Sequence, residues 1–298
     1  TSSVDVKAAA TKLVGEWKAL AAATSTSTPV KSPVKKESRL PSAAAATSPS
    51  HPITSAKTPL ADALAMPVES LSDMPTRVFD EGRKVSAARV RVFDPAWPEG
   101  STPDLKKKSK HGSTDRQGPV VYWMQRDQRL EDNWALLHAQ EVAMARNVPV
   151  VIVFNLVPSF IGAGVRQFGF MLRSLKLLAH DAQHRYNLRF ELLLGEPTET
   201  VPAFVEQNDV PVLVTDFSPM RISRRWKSGV VQRLEEMQRA DVPLLEGDAH
   251  NIAPVWITSN KCEFAAKTIR PKVHKVMPTY LTPFPPLQRH PHGDALAD

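Results

Sequence analysis

The most constraining stretch of this sequence is Val148-Pro149-Val150-Val151-Ile152-Val153-Phe154, seven residues without one polar side chain. A run this short and this rich in β-branched residues is a strand. Its apolar side chains alternate to both faces, so both faces need cover, as for an inner strand of a parallel sheet. The pattern recurs. Residues 120–124, bounded by Gly118-Pro119 and Arg126-Asp127, read as another buried strand, and 190–194, 212–215 and 243–245 as three more.

Helical patterns fill the intervals. Asp132 is expected to cap a helix carrying Trp134, Leu137, His138 and Val142 towards Arg146. Over 166–186, Phe168, Met171, Leu172, Leu175, Leu178, Ala179 and Ala182 form one stripe at helical spacing. Residues 198–208 carry Pro202 in a first turn, where a missing amide proton costs little. Residues 222–239 turn Trp226, Val230, Leu234 and Met237 inward. Strand and helix alternate over short connections, so the expected fold is α/β, a doubly wound, five-stranded, Rossmann-like parallel sheet. After Glu246 the alternation stops. Residues 249–256 read as ordered loop and 264–280 as a pair of short helical turns, and Pro283 to Pro286 lead the chain away.

Composition separates this unit from what precedes it. Residues 1–118 carry 18 Lys and Arg against 12 Asp and Glu, with only four aromatics (Trp17, Phe79, Phe93, Trp97); residues 119–298 carry 20 against 19 and the other sixteen aromatics. The pI near 9.5 is therefore a property of the first part, which argues against a globular domain that binds nucleic acid through overall basicity. Residues 1–118 are expected to be a disordered basic tail, because their Ala/Ser/Thr/Pro-rich stretches bury too little apolar surface to offset ordering. Lys106-Lys107-Lys108 with Lys110 reads as a nuclear address or a solvated linker, and the acid-poor start resembles an organellar transit peptide. The expected destination is the nucleus, with chloroplast or mitochondrion as competitors. The single Cys262 excludes a disulfide framework and a Cys-rich zinc site. The longest apolar stretch, 148–161, is broken by Pro149, Asn155 and Pro158, short of the roughly 20 residues a spanning helix needs.

Ligands of open parallel sheets bind beyond the carboxyl ends of the strands. Those ends carry Gln125-Arg126-Asp127, then Asn155, then Asp216-Phe217-Ser218, then Asp248 with Asn251. No G-x-G-x-x-G follows the first strand and no G-x-x-x-x-G-K occurs, so neither a dinucleotide fingerprint nor a P-loop is present. The cleft suits a flat or polar ligand without a phosphate cradle. Taken singly, Asp127 and Asp216 read as caps; four polar strand ends together read as a shared pocket. Arg221, Arg224, Arg225 and Lys227 open a helix, where the macrodipole disfavours cations. They are either a screened surface cluster or partners of an acid, for which Asp216 is the candidate. The nine histidines show no metal-ligand spacing, and no Ser–His–Asp or Cys–His set is assembled.

The first strand and its helix read Val120-Val121-Tyr122-Trp123-Met124-Gln125-Arg126-Asp127-Gln128-Arg129-Leu130-Glu131-Asp132-Asn133-Trp134-Ala135-Leu136. This closely resembles the opening of class II cyclobutane pyrimidine dimer photolyases, the branch of the photolyase/cryptochrome family typical of plants, algae, animals and some archaea. Val153-Phe154-Asn155-Leu156, Gly169-Phe170-Met171-Leu172, Val214-Thr215-Asp216-Phe217-Ser218-Pro219, Asp248-Ala249-His250-Asn251 and Thr268-Ile269-Arg270-Pro271-Lys272 follow in the family's order. The likeness covers about 119–290.

The resemblance implies that 119–250 form the photolyase-type α/β antenna domain. Residues 251–298 would be a connector towards a helical FAD-binding domain that the chain lacks, leaving a fragment inactive alone. The whole enzyme would be a deoxyribodipyrimidine photo-lyase, in which excited reduced FAD repairs pyrimidine dimers in UV-damaged DNA. In this chain the resemblance implies a deazaflavin or folate antenna touching Met124, Arg126, Asp127, Phe217, Asp248, Asn251 and Lys261, with no catalytic and no metal-binding residue. A monomer without membrane association is expected. The alternatives are a cryptochrome-like blue-light receptor, which the class II wording of 122–133 disfavours, and a stand-alone nucleotide- or ligand-binding α/β module. Phe264, Ile269, Val273, Val276, Met277, Tyr280, Leu281 and Phe284, interleaved with Lys267, Arg270, Lys272 and Lys275, are expected to form a docking face for the missing domain.

Overall fold

The structure is a computed structural model that describes residues 85–95 and 116–293. Its strands are β1 (Val90–Val92), β2 (Val120–Met124), β3 (Val150–Leu156), β4 (Arg189–Leu194), β5 (Leu213–Asp216) and β6 (Leu244–Gly247). The helices are α1 (Trp134–Arg146), α2 (Val165–Tyr186), α3 (Pro197–Gln207), α4 (Arg221–Glu236), the single turn α5 (Val255–Thr258) and α6 (Ala266–Tyr280). The sheet order is β1-β6-β5-β2-β3-β4. β2 to β6 are parallel, and β1 joins β6 antiparallel, with Arg91 opposite Glu246.

The apolar runs do what their composition requires. All five residues of β2 are buried, and six of the seven in β3. Val120, Tyr122 and Met124 pack under α1 and α2, while Val121, Trp123, Val151 and Val153 meet Val201 and Val205 of α3 and Val230 and Leu234 of α4. Each fully buried aliphatic side chain contributes about 1.5–3 kcal/mol. The sheet is therefore the middle layer of three. α1 and α2 each stop on an asparagine in the left-handed conformation, Asn147 (φ 56°) and Asn187 (φ 55°).

Several expectations are corrected. The sheet has six strands rather than five, because Val90-Arg91-Val92, inside the stretch assigned to a disordered tail, pairs along β6; Phe93 enters the core beside Val121 and Leu244. Of the remaining tail, 1–84 and 96–115, the targeting readings included, lie outside the described residues. The cap of α1 is Asn133, whose Oδ1 accepts from the Ala135 and Leu136 amides at 3.1 Å; Asp132 stands outside it at φ 52°. The expected pair of turns after Phe264 is one helix, α6, containing both Pro271 and Pro278.

Nor does the proline run lead the chain away. Phe284 stacks on Trp134, Leu287 is buried, and Gln288 exchanges hydrogen bonds with Gln140. The buried His290 bonds to strand β3's approach at Val148 and to the end of α2 at Tyr186. The expected docking face is thus divided: Phe284 is spent on the α/β unit, while α6 buries none of its residues and Phe264 and Leu281 stand exposed. No helix among the described residues is long and apolar enough to cross a membrane.

Candidate functional site

The chain passes from β2 to β3 on one side and reaches β5 on the other, so the strand order switches beside β2. Such a switch leaves a crevice at the carboxyl edge. Here it is a cavity of about 400 Å³. Its floor is the end of β2 (Met124, Gln125, Arg126) and of β3 (Phe154, Asn155), and its sides are the first turns of α2 and α4. Phe160, before α2, and Trp226, on α4, both line it with ring centroids 5.9 Å apart. Among the described residues the lining is chiefly apolar and aromatic, with a few amide and hydroxyl groups, the Arg126 guanidinium and no carboxylate. A planar heteroaromatic fits that chemistry.

Two carboxamides on the floor are each held by a threonine. Thr215 donates its hydroxyl proton to the Trp123 carbonyl at 2.9 Å and accepts from Gln125 Nε2 at 3.0 Å. Thr200 donates to the Glu196 carbonyl at 3.1 Å and accepts from Asn155 Nδ2. A hydroxyl that has spent its proton can only accept, so each amide must present nitrogen to its threonine. Gln125 Oε1 and Asn155 Oδ1 are consequently left buried without a partner. A buried acceptor without a donor costs about 1–3 kcal/mol.

The loop that carries Gln125 is held from below by Asp216. This fully buried carboxylate accepts from the amides of Gln125 (2.9 Å), Arg126 (3.1 Å) and Asp127 (3.2 Å) and from the Tyr122 hydroxyl at 3.3 Å. Burial raises its pKa, against the pull of the three amides. Burial likewise raises that of Tyr122. Asp216 is therefore the anchor of the β2 loop. The expectation that it serves the arginines of α4 fails, since the buried cation of that helix, Lys227, pairs with Glu246.

Of the residues expected at the site, Met124 and Arg126 line the cavity. The others fall on the β1 side of the edge. Asp127 is buried against His250 (3.1 Å) and Arg129 (3.4 Å). Asp248 accepts from the Asn251 side chain and from the amides of Asn251 and Val255; burial raises its pKa, opposed by these donors. Phe217 sits edge-on to Trp256 at 5.7 Å, and Lys261 belongs to the turn around Ser259. Gln125 and Asn155, legible in the sequence as polar strand ends, are cavity residues that the expected set omitted, as is Trp226. The signal for the amides was their position one step beyond an apolar run.

A chiefly apolar and aromatic cleft at the switch point of a doubly wound sheet is the place where α/β domains of this class carry their ligand pocket. The chain belongs to the DNA photolyase family, whose model matches residues 120–290, more than half of it. It is 47% identical over 184 residues to a deoxyribodipyrimidine photo-lyase of Arabidopsis thaliana, covering 62% of this chain and 36% of that protein. It is 49% identical over 172 residues to one of Oryza sativa subsp. japonica (57% and 33%). With one of the marsupial Potorous tridactylus it shares 42% over 178 residues (60% and 32%). Plant and marsupial relatives fit the class II resemblance. The chain spans about a third of the length of these relatives.

Proposed function

We propose that the described unit is the antenna domain of a class II cyclobutane pyrimidine dimer photolyase, and that the cavity beyond β2 and β3 holds its light-harvesting chromophore, a deazaflavin or a folate. The observation that carries this is the carboxyl-edge cavity at the strand-order switch, walled by Phe160 and Trp226 and floored by the ends of β2 and β3. When bound, the chromophore would supply absorbed light energy to a reduced FAD, which in this family sits in a helical domain and splits the dimer in DNA by electron transfer. This chain's own residues bind and orient. Gln125 and Asn155 would border the heterocycle's polar edge, the two aromatic walls would stack on its faces, and Asp216 would keep the Gln125 loop in place. Met124 and Arg126 remain in the proposed contact set. Asp127, Phe217, Asp248, Asn251 and Lys261 would act through the loops they brace.

The relatives are all named photo-lyases, which favours repair over a cryptochrome-like receptor or a stand-alone module. The test is reconstitution. The purified chain is incubated with 8-hydroxy-5-deazaflavin and, separately, with methenyltetrahydrofolate, then passed through gel filtration. Retention of one of them near one per chain, with shifted absorption, is expected; retention of neither would overturn the reading.

A further inference from the structure

Away from the carboxyl-edge cavity, the outer side of α2 carries His180 and His184, four positions apart and therefore neighbours on one helix face. Both residues are exposed. Their rings lie 4.3 Å apart, centroid to centroid, tilted by 44°. Two imidazoles at adjacent corners of one cation, each about 2.0–2.1 Å from it through nitrogen, have centroids roughly 4.5 Å apart. The pair already stands close to that spacing. In the sequence it lacks the further ligands of a closed set, so no metal-ligand pattern shows there; the helix is what makes the two rings neighbours.

One of the rings is oriented. His180 Nδ1 lies 3.4 Å from Asp181 Oδ1. A carboxylate only accepts, so Nδ1 carries the proton and Nε2 keeps its lone pair. A carboxylate behind a histidine in this way fixes the tautomer of a metal ligand and raises its basicity. Asp181 is itself held 3.3 Å from Arg185, whose other partner is Glu131 at 2.8 Å. Among the described residues no group of three or more His, Cys, Asp or Glu is placed to share an ion. A cation at this pair would therefore have two protein ligands and complete its shell with water.

We infer that His180 and His184 form a surface site for a divalent transition cation that prefers imidazole, zinc or copper, held by two ring nitrogens and by water. Calcium and magnesium, which take oxygen ligands, do not suit it. The site would brace the end of the fold. Arg289 donates to the His184 carbonyl at 3.1 Å, the His290 amide to the Tyr186 carbonyl at 2.8 Å, and Asn187 Nδ2 to the His290 carbonyl at 2.9 Å. A cation across His180 and His184 staples the last turns of α2, on which that returning segment rests. This inference is independent of the chromophore reading.

The test uses copper(II), the strongest binder of such sites in the divalent series, on the whole chain without a histidine tag. Calorimetric titration gives the affinity, and electron paramagnetic resonance counts the coordinated nitrogens. His290 and His292, with rings 5.8 Å apart, are also candidates for the ion, so variants decide. The tightest site should show two nitrogens and weaken about tenfold or more in His180→Asn and in His184→Asn, with His138→Asn as the unchanged control. Far-UV spectra and metal-free urea midpoints check that the variants fold. Zinc chloride should raise the urea midpoint of the unaltered chain and leave that of His180→Asn/His184→Asn where it was; calcium chloride should move neither. A copper site of equal affinity in the double variant, or no copper site in the unaltered chain, overturns the inference. A midpoint that zinc raises equally in both chains, or in neither, overturns the bracing.

Discussion

Gln125 donates from Nε2 to Thr215 Oγ1 across the β2–β5 junction at 3.0 Å, and Thr215 passes its own proton back to the Trp123 carbonyl of β2. One hydroxyl thus fixes the orientation of the carboxamide at the floor of the cavity. Thr215→Val keeps the shape and a strand-forming side chain but removes the lock. We expect a stability loss of about 1 kcal/mol and a several-fold weaker chromophore affinity, as the Gln125 side chain at the cavity floor loses its fixed position. Urea unfolding and a binding titration measure the two; unchanged affinity would show that the amide's orientation is immaterial.

Glu246 lies between two cations. Lys227 is fully buried against one of its oxygens and Arg91 of β1 bonds to the other. Removing only the carboxylate leaves a buried charge without compensation, so Glu246→Gln should cost about 3–5 kcal/mol, and Glu246→Gln/Lys227→Met much less. Urea denaturation of both variants decides it, equal losses being the contrary result.

Arg89 ties three segments together. Its guanidinium donates to the carbonyls of Asn251 and Ile252 and lies over Trp134 (4.5 Å) and Tyr280 (5.3 Å). Arg89→Ala should raise hydrogen exchange at 249–255 and along α6 by tenfold or more. Arg89→Lys should recover little of the protection, because an ammonium lacks the two-pronged donor geometry. Protection unaltered in Arg89→Ala would mean the loop is held by Asp248 alone.

His290 sets a pH dependence. Its Nε2 donates to the Val148 carbonyl at 2.9 Å, which favours the charged ring, but burial outweighs this and lowers its pKa; His292, with its ring 5.8 Å away, adds to the lowering. A histidine whose folded pKa lies below its unfolded value is protonated first in the unfolded chain. Stability is therefore intact above the ordinary imidazole value of about 6.5 and falls with pH below it, until the lowered folded pKa is reached. Unfolding free energy should decline between pH 7.5 and 5.5, and His290→Gln should flatten that slope. A slope identical in both proteins would contradict this.

The sequence made the parallel sheet legible because β2 and β3 are apolar on both faces, a pattern that no other packing satisfies. It hid β1 because three residues, Val90-Arg91-Val92, lie among polar and Pro-rich neighbours; the alternation of Val90 and Val92 with Arg91 was the available sign, and the partner residues in β6 lie more than 150 positions further along the chain. The return of 284–290 was hidden for a similar reason. Pro283, Pro285 and Pro286 say that the segment is extended, while its destination is set by Trp134, Gln140 and Val148, which only the fold brings near. At the site, Met124 and Arg126 followed from strand-end logic. Asp127, Asp248 and Asn251 share that position in the sequence but turn inward to hydrogen-bond loops, a choice made by tertiary contacts.

The claim that the carboxyl-edge cavity is the chromophore's seat is tested most directly by filling it. Ser223 is on α4 and lines the cavity, so Ser223→Trp would occupy the space from a helix. The measurement is the chromophore retained per chain after reconstitution and gel filtration. The account predicts near one for the unaltered chain and near zero for Ser223→Trp, with the far-UV spectrum and urea midpoint preserved. Equal retention by a folded Ser223→Trp chain would place the chromophore elsewhere and contradict it.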